Sequence, residues 1–459
     1  MDSLSYNDAL EYLNSFIDYE KTADYLYNQR LLNLERMQHL LQMLGNPHQG
    51  LRIIHVAGTN GKGSTAAMIA SILGKAGFRV GLYSSPHLVS FRERIRWGDE
   101  IISESDFCDL VTRLKAARPE RKTSSNFESP TFFEAATALA FLFFAGKKTD
   151  FVILEVGLGG RLDATNVINK PLVCALTPIG LDHTDKLGNT LTEIAEEKTK
   201  IIKPETLVVT APQGREALET IKRECELKKA FLLQVEEKEE SGELDRKDSQ
   251  TSITVQNIAC SVNGSTFDIS GLREDYENLH LPLRGRHQVI NAATAIGAIE
   301  LLRSLNTPVS PEQIRQGLSE VKWSGRLELI RTRPNILLDS AHNVPAAKRL
   351  KEALRNLFPH QRIHLILGIA ADKDIRGIAA ELCPLAQRVI LTRAAHPRAA
   401  DPHLLREKLN GFSEKAVTAP DIRTAIEEGR AGSQPDDLLC ITGSFYTVGE
   451  AMEILNILQ

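Results

Sequence analysis

No apolar run in this chain is long enough to cross a bilayer. The most apolar stretch, "AATALAFLFFAG" from Ala135 to Gly146, falls well short of the roughly 20 residues a spanning helix needs and is expected to be a buried helix. The chain also lacks paired cysteines. Its six cysteines, at 108, 174, 225, 260, 383 and 440, are scattered with no C-x-x-C pair. That argues against a disulfide framework or a thiolate zinc site, and it suits a reducing, cytoplasmic setting. Neither charge is in excess: 55 Lys and Arg stand against 59 Asp and Glu, a net charge of -4. No global field therefore draws nucleic acid or an anionic membrane, and any anion binding must be built locally. The amino terminus, "MDSLSYNDALEYLNSF", is acidic and amphipathic, without the basic-then-apolar order of a signal peptide, so export is not expected.

What is present is an ordinary globular composition, 42% hydrophobic and 25% charged over 459 residues. That is more chain than one core usually supports, and two domains are expected. Short β-rich runs, "LRIIHVA", "FRVGLYS", "DFVILEV", "PLVCALT" and "TLVVTAP", alternate with amphipathic sequence, the pattern of a parallel sheet covered by helices. A second series, "PNILLDS", "RIHLILGIA", "QRVILTRA" and "DLLCITGS", follows a helix expected to start at Pro311 with Ser310 as its cap. The boundary between the two series is placed near residue 320. Between Val235 and Gln250, charge without apolar periodicity predicts a solvated surface loop, flanked by antiparallel strands such as "SITVQNIACSV" and "STFDISG". "NAATAIGAIELLRSL" has a helical pattern that begins at Asn291, which could serve as its cap.

In parallel α/β sheets ligands sit at the carboxyl ends of strands, so the residues just after each run carry the most information. "HVAGTNGKGST", His55 to Thr65, places three glycines and a lysine between a strand and a helix. Such a turn points backbone N–H groups at phosphate oxygens, with Lys62 supplying charge and Ser64 or Thr65 a hydroxyl. The strict G-x-x-x-x-G-K-[ST] pattern is not met, because Val56 stands at its first glycine and Gly63 follows the lysine. A phosphate loop normally works with a divalent cation. Hard ligands are available at the next strand ends: Glu155 after "DFVILEV", then Asp182 and His183 in "LDHT". Taken singly, Glu155 is a solvated carboxylate and His183 a loop histidine; their shared location with the loop favours the site.

The motifs "AGTNGKGST", "SSPHLVSFRERI", "TFFE", "LEVGLGGRLDATN", "GLDHTDKLGNTL", "GRHQVINAATA", "WSGRLE" and "DSAHN" together resemble folylpolyglutamate synthase/dihydrofolate synthase, within the Mur ligase superfamily. The resemblance implies an α/β fold: a P-loop-type, mostly parallel sheet ATPase domain over 1–320, then a smaller Rossmann-like domain over 321–459. It implies an ATP-dependent ligase that joins L-glutamate to folate, dihydropteroate or both through an acyl phosphate, working as a monomer on small molecules. Gly61, Lys62, Gly63 and Ser64 would hold ATP phosphates, and Ser85, Glu155 and His183 would coordinate magnesium. Asn291, Arg326, Asp339 and His342 would contact the nucleotide. The bland alternatives are caps for Asn291 and Asn343, a surface ion pair for Arg326 and a solvated strand end for Asp339.

The pterin would lie against Thr131, Phe133, Leu162, Asp163 and Ala164, beneath a loop carrying Arg92 and Arg94; those arginines could instead be rim ion pairs. In the family a lysine of an "EKAGI" segment is carbamylated and supports a second magnesium. Here the segment reads "EEKTKI", so Lys198 takes that place with Thr199 and Lys200 where Ala and Gly belong; the alternative is a bare, solvated ammonium. His396 and Arg398 in "RAAHPRAADP" are candidates for the incoming glutamate by position alone. Competing functions are a nucleotide-driven two-domain switch, or a ligase for a non-folate carboxylate. A muropeptide ligase is disfavoured, because little chain precedes the loop.

Overall fold

A computed structural model describes residues 4–22, 27–28, 32–117, 129–238, 251–409 and 411–457. Two sheets organise them. The first contains β1 (Ile53–Ala57), β2 (Val80–Tyr83), β3 (Ile95–Trp97), β4 (Glu100–Ile101), β5 (Phe151–Glu155), β6 (Val173–Leu176), β7 (Leu207–Thr210), β8 (Phe231–Glu237), β9 (Ser252–Ser261), β10 (Gly264–Ser270) and β11 (Asp275–Leu281). Its spatial order is β11-β10-β9-β8-β7-β6-β1-β5-β2-β3-β4. From β8 to β2 every neighbouring pair is parallel, as the alternating sequence requires. The chain leaves β1 for β2 on one side and later reaches β6 on the other, so β1 stands at the point where the winding reverses, and the crevice for a ligand opens at its carboxyl end.

Helix Lys62–Lys75 and helix Arg286–Ser304 cover one face of this sheet, and their Ala, Ile and Leu side chains fill a core with Ile54, Val56, Ile153 and Val209. On the other face the expected buried helix runs Phe132–Gly146. It is capped by Thr131, whose hydroxyl accepts from Glu134 N–H while the Glu134 carboxylate returns to Thr131 N–H, and it packs against the amino-terminal helices. Its run of Phe, Leu and Ala is buried on nearly all sides, which explains the absence of polar periodicity.

The second sheet contains β12 (Glu328–Ile330), β13 (Asn335–Asp339), β14 (Ile363–Leu367), β15 (Ala386–Leu391), β16 (Ala416–Thr418) and β17 (Leu438–Thr442). Its order is β12-β13-β17-β14-β15-β16. All pairs are parallel except β12 with β13, and apolar clusters cover both faces. The four expected strands are β13, β14, β15 and β17; β12 and β16, three residues each, are too short to show a pattern. Helix Pro311–Ser319 starts where expected, with Ser310 and Gln313 forming a capping box.

Two local expectations need correction. Val235 is buried and, with Glu236 and Glu237, belongs to β8; β9 pairs with it in parallel, while β9 and β10 are antiparallel to each other as expected, and so are β10 and β11. The rest of the expected loop, 239–250, lies outside the described residues. Asn291 is not a cap. The helix begins at Arg286, capped by Gly285 in the left-handed region at φ 93°, and Asn291 lies in its second turn.

Candidate functional site

Both sheets turn their carboxyl edges toward one cleft of about 290 Å³. The first sheet contributes Asn60–Ser64 after β1, Ser85 and Pro86 after β2, Glu155 and Gly157 at and after β5, and Asp182 and His183 after β6. The second contributes Asp339–His342 at and after β13, Lys373 after β14, Arg398 after β15 and Ser444–Tyr446 after β17. No one sheet makes this site; it is the gap between two strand-end surfaces.

The glycines of the phosphate loop answer to specific neighbours. Gly61 has φ 91°, a left-handed backbone that side chains resist, and a Cβ there would run into the Asn291 amide. Gly63 allows Trp323 and Glu155 to close on the helix start, at 2.9 and 3.2 Å from where its Cβ would be. Gly61 caps helix Lys62–Lys75 without a side-chain hydrogen bond, so the N–H groups of the first turn stay available and the helix adds positive potential. Lys62 lines the cleft and donates to Thr59 O at 3.3 Å. Asn291 donates to Gln288 Oε1 at 3.0 Å, and its own Oδ1 has no partner among the described residues.

Glu155 is 5% exposed, not solvated. Its carboxylate accepts from Ser85 N–H at 3.2 Å, which brings Ser85 beside it. Burial pushes its pKa up, opposed by the charge of Lys62, the Ser85 N–H bond and the charge of Arg326. His183 is held in the left-handed region at φ 49°, a costly conformation for a side-chain-bearing residue. Burial drops its pKa to about 3, against the pull of Asp182, so the ring is neutral and keeps a lone pair for a ligand. Among the described residues no three His, Cys, Asp or Glu side chains cluster closely enough to hold a metal by themselves. This donor set, one buried carboxylate, one neutral imidazole and a hydroxyl, fits Mg²⁺, which keeps waters and substrate phosphates in its shell.

Lys198 is not solvated either. It is 5% exposed and donates to Gly58 O at 2.9 Å. Burial and the neighbouring Lys62 lower its pKa to about 7. Lys200, by contrast, turns away and pairs with Glu224 at 2.8 Å.

The five residues expected at the pterin wall all line the cleft. Thr131 spends its hydroxyl on the helix cap described above. Phe133 packs at a tilt against Tyr83, centroids 6.0 Å apart, and lies where a Cβ on Gly157 would touch its ring. Asp163 is buried, and its oxygens accept from Gly157 N–H, Leu158 N–H, Thr165 N–H and the Thr165 hydroxyl. Arg92 is a rim residue, bonded to Ile102 O and Glu104. Arg94 is not at the rim: at 1% exposed it holds Glu20 at 2.8 Å and His87 at 2.9 Å, tying the amino-terminal segment over the cleft.

On the opposing surface Asp339 is buried and accepts from Leu327 N–H and Ala341 N–H, both at 3.0 Å, so it is no solvated strand end. Among the described residues Arg326 forms no ion pair. It donates to Gly325 O and to the Ser340 hydroxyl at 2.8 Å, and its guanidinium lies 4.7 Å from the centre of the Phe445 ring. His342 bonds Ser340 O through Nδ1 at 2.9 Å. Asn343 caps helix Val344–Leu357, as one sequence alternative had it, and also reaches across the cleft to Asn60 at 3.1 Å and Asp182 at 2.7 Å. Lys373 completes the bridge with Asp182 at 2.7 Å, both side chains under 10% exposed. Although burial would raise it, Asp182 is held well below the usual carboxylate range by His183 and Lys373. Sequence reasoning overlooked Asn60 and Lys373. Lys373 follows β14 in "IAADKD", and the strand-end rule applied to that run would have found it. His396 stacks flat on Tyr446 at 3.5 Å, while Arg398 lines the cleft paired with Asp372 and donating to Glu20 O at 3.0 Å.

A glycine-lined anion loop facing a second α/β surface, with buried acid and imidazole between, defines a two-domain nucleotide-dependent ligase. Residues 56–299 match the Mur ligase middle domain and residues 325–445 the Mur ligase glutamate ligase domain. The chain is 36% identical to the dihydrofolate synthase/folylpolyglutamate synthase of Bacillus subtilis, over 92% of this chain and 95% of that one. It superposes on the Mycobacterium tuberculosis folylpolyglutamate synthase complexed with ADP at a TM-score of 0.85, 30% identical, covering 98% of each chain. It superposes on the Escherichia coli protein in complex with DHPP and ADP at a TM-score of 0.81, 30% identical, covering 99% of this chain and 98% of that one. The chain belongs to the folylpolyglutamate synthase/dihydrofolate synthase family of Mur ligases, which are ATP-dependent ligases.

Proposed function

We propose that this protein joins L-glutamate to folate, to dihydropteroate or to both, driven by ATP. The observation that carries the proposal is the convergence of the phosphate loop, Glu155 and His183 on one side of a cleft with Arg326 and Asp339 on the other. The relatives' names, and the DHPP and ADP held by the Escherichia coli neighbour, support the choice of substrates. A carboxylate is a poor electrophile. Transfer of the γ-phosphate gives it a leaving group, and the glutamate amine then displaces phosphate to form the amide. Gly61, Lys62, Gly63 and Ser64 would seat the phosphates, while Asn291, Arg326, Asp339 and His342 hold the nucleotide from the other side. Thr131, Phe133, Leu162, Asp163 and Ala164 would face the pterin. Positioning and charge compensation then supply most of the rate.

Mg²⁺ would be held by Ser85, Glu155 and His183 and would neutralise phosphate charge when bound. Lys198 suits carbamylation, because only a neutral amine attacks carbon dioxide and burial leaves a large share of this one unprotonated near pH 7. The carbamate would support a second ion. Glu224 takes up the extra charge of Lys200. A division near residue 320 into a 1–320 ATPase domain and a 321–459 ligase domain would let closure assemble the cleft. The protein would act as a monomer, and six unpaired cysteines agree with a cytoplasmic location; no described helix is long and apolar enough to cross a membrane. The test supplies ATP, Mg²⁺ and labelled glutamate with either dihydropteroate or tetrahydrofolate. Label should enter the acceptor, with ADP formed only when acceptor and glutamate are both present. ADP formation indifferent to both would leave a nucleotide switch instead.

A further inference from the structure

His55 is a polar residue in the middle of β1, 0% exposed, between Leu154 of β5 and Cys174 of β6. An aliphatic side chain would be the cheaper occupant of such a place. Its Nε2 lies 2.8 Å from the Thr165 hydroxyl, and that hydroxyl lies 2.5 Å from Asp163 Oδ1. The direction of the chain follows from counting protons. Asp163 already accepts three backbone N–H groups, so its oxygens offer lone pairs, and the one hydroxyl proton of Thr165 goes to the carboxylate. The Thr165 oxygen must then accept from the imidazole, which places the ring proton on Nε2. Nδ1 is left with a bare lone pair, in agreement with its having no partner among the described residues. An orphaned lone pair is less costly than an orphaned N–H. Burial drops the ring's pKa to about 3, so it stays neutral.

We infer that His55 is a positioning residue for the acceptor-substrate wall: acting through Thr165, it fixes the Asp163 carboxylate that ties the loop after Glu155 to the residues expected to face the pterin. Asp163 stands between Leu162 and Ala164 on the cleft wall, and its Oδ2 grips Gly157 and Leu158 at 3.0 and 2.9 Å. The relay thus sets the spacing between the end of β5 and that wall from inside the sheet, through Thr165 and Asp163 and not through the loop that follows β1. This inference rests on the ligase reading for its substrate.

Thr165→Val removes the hydroxyl at nearly constant volume and should raise KM for the pterin acceptor roughly tenfold, with KM for ATP unchanged within about twofold. Thr165→Ser, which keeps the hydroxyl, should restore the wild-type value. His55→Leu should match the valine variant, and His55→Gln, whose amide N–H can donate toward Thr165, should recover most of the loss. Nitrogen-15 spectra of the wild-type ring should show Nε2 protonated and Nδ1 bare, and Thr165→Val should disturb that tautomer. A proton on Nδ1, or a parallel rise of both KM values with a lower melting temperature, would overturn the inference. If His55→Leu fails to fold, the threonine pair decides the question. Wild-type protein that ligates glutamate to no acceptor would sink the ligase reading instead; the tautomer and dihydropteroate binding by Thr165→Val would still decide the relay.

Discussion

The two strand-end surfaces that face each other across the cleft are made differently. The first is made of backbone shape: a turn with Gly61 at φ 91°, Gly63 against Trp323, and a helix start with free N–H groups. The second is made of side chains delivered from separate strands, with Arg326 on Phe445, Asp339 on two amides, and Lys373 and Asn343 reaching across to Asp182 and Asn60. A surface shaped by backbone tolerates few residue types at each position, whereas a surface of side chains depends on partners distant in the chain. The first should therefore be all-or-none toward substitution, and the second graded.

The largest effect is expected at the backbone-made surface. Lys62→Ala removes the one flexible cation of the phosphate loop, and ligation should fall by about three orders of magnitude, the scale of losing a preorganised electrostatic contact in a closed site. Among the described residues Lys62 makes one hydrogen bond, at 3.3 Å to Thr59 O, and Glu155, which loses its charge support, can take up a proton, so the thermal unfolding midpoint should stay within about 2 °C. Variant protein that still extends folate at the wild-type rate would break the phosphate assignment.

A smaller effect is expected across the cleft. Lys373→Met leaves the Asp182 carboxylate with Asn343, His183 and His342 as neighbours, in place of an ammonium at 2.7 Å. Removing one partner of a buried pair costs about 3 kcal/mol or more, which converts to roughly a hundredfold if the pair forms in the closed, reacting arrangement. kcat/KM for glutamate incorporation should drop by that factor, while ADP binding, measured by calorimetry, weakens less than about threefold. Equal losses in both would mean that Lys373 serves the nucleotide and not closure, and the contrast between the surfaces would narrow.

The same difference governs what the sequence discloses. "AGTNGKGST" announces itself because a loop that lets atoms approach at 3 Å needs glycine at fixed offsets, and glycine is visible in any sequence. Strands β5, β6, β13 and β14 were legible because parallel strands buried on both faces are runs of Val, Ile and Leu. Lys373 and Asn60 were not, since a lysine in "IAADKD" resembles any solvated loop lysine until Asp182, 191 residues earlier in the chain, is folded against it. The cap offered as the alternative reading of Asn291 fails because the helix starts earlier, at Arg286, where Gly285 makes no side-chain capping bond to mark the start. His55 gave no signal, being one polar letter within an apolar run. The buried acids and Lys198 share a lesson: exposure of a charged side chain cannot be judged from its neighbours in sequence, because what covers it comes from segments distant in the chain, as Ser85 meets Glu155 and Gly58 takes the Lys198 ammonium.

Two lysines two residues apart sharpen the comparison furthest, since one faces the cleft and the other faces solvent. Lys198 has a folded pKa near 7 against an unfolded value near 10.5. Below about pH 7 it is protonated in both states, and the full cost of burying the charge is present. Between about pH 7 and 10 the unfolded chain binds the proton that the folded chain has given up, so folding stability should rise with pH across that window, by up to about 1.4 kcal/mol per pH unit from this group. Urea unfolding in carbon-dioxide-free buffer, stepped from pH 7 to 9, should show this rise in the wild-type protein and lose it in Lys198→Met. Lys200→Met should keep it, because that side chain is 40% exposed and its ion pair with Glu224 contributes at most about 1 kcal/mol. Activity in the Lys200 variant should stay within about twofold. If the slope disappeared with Lys200 and persisted without Lys198, the buried amine beside the phosphate loop would be the wrong one, and the carbamate would have no place at 198.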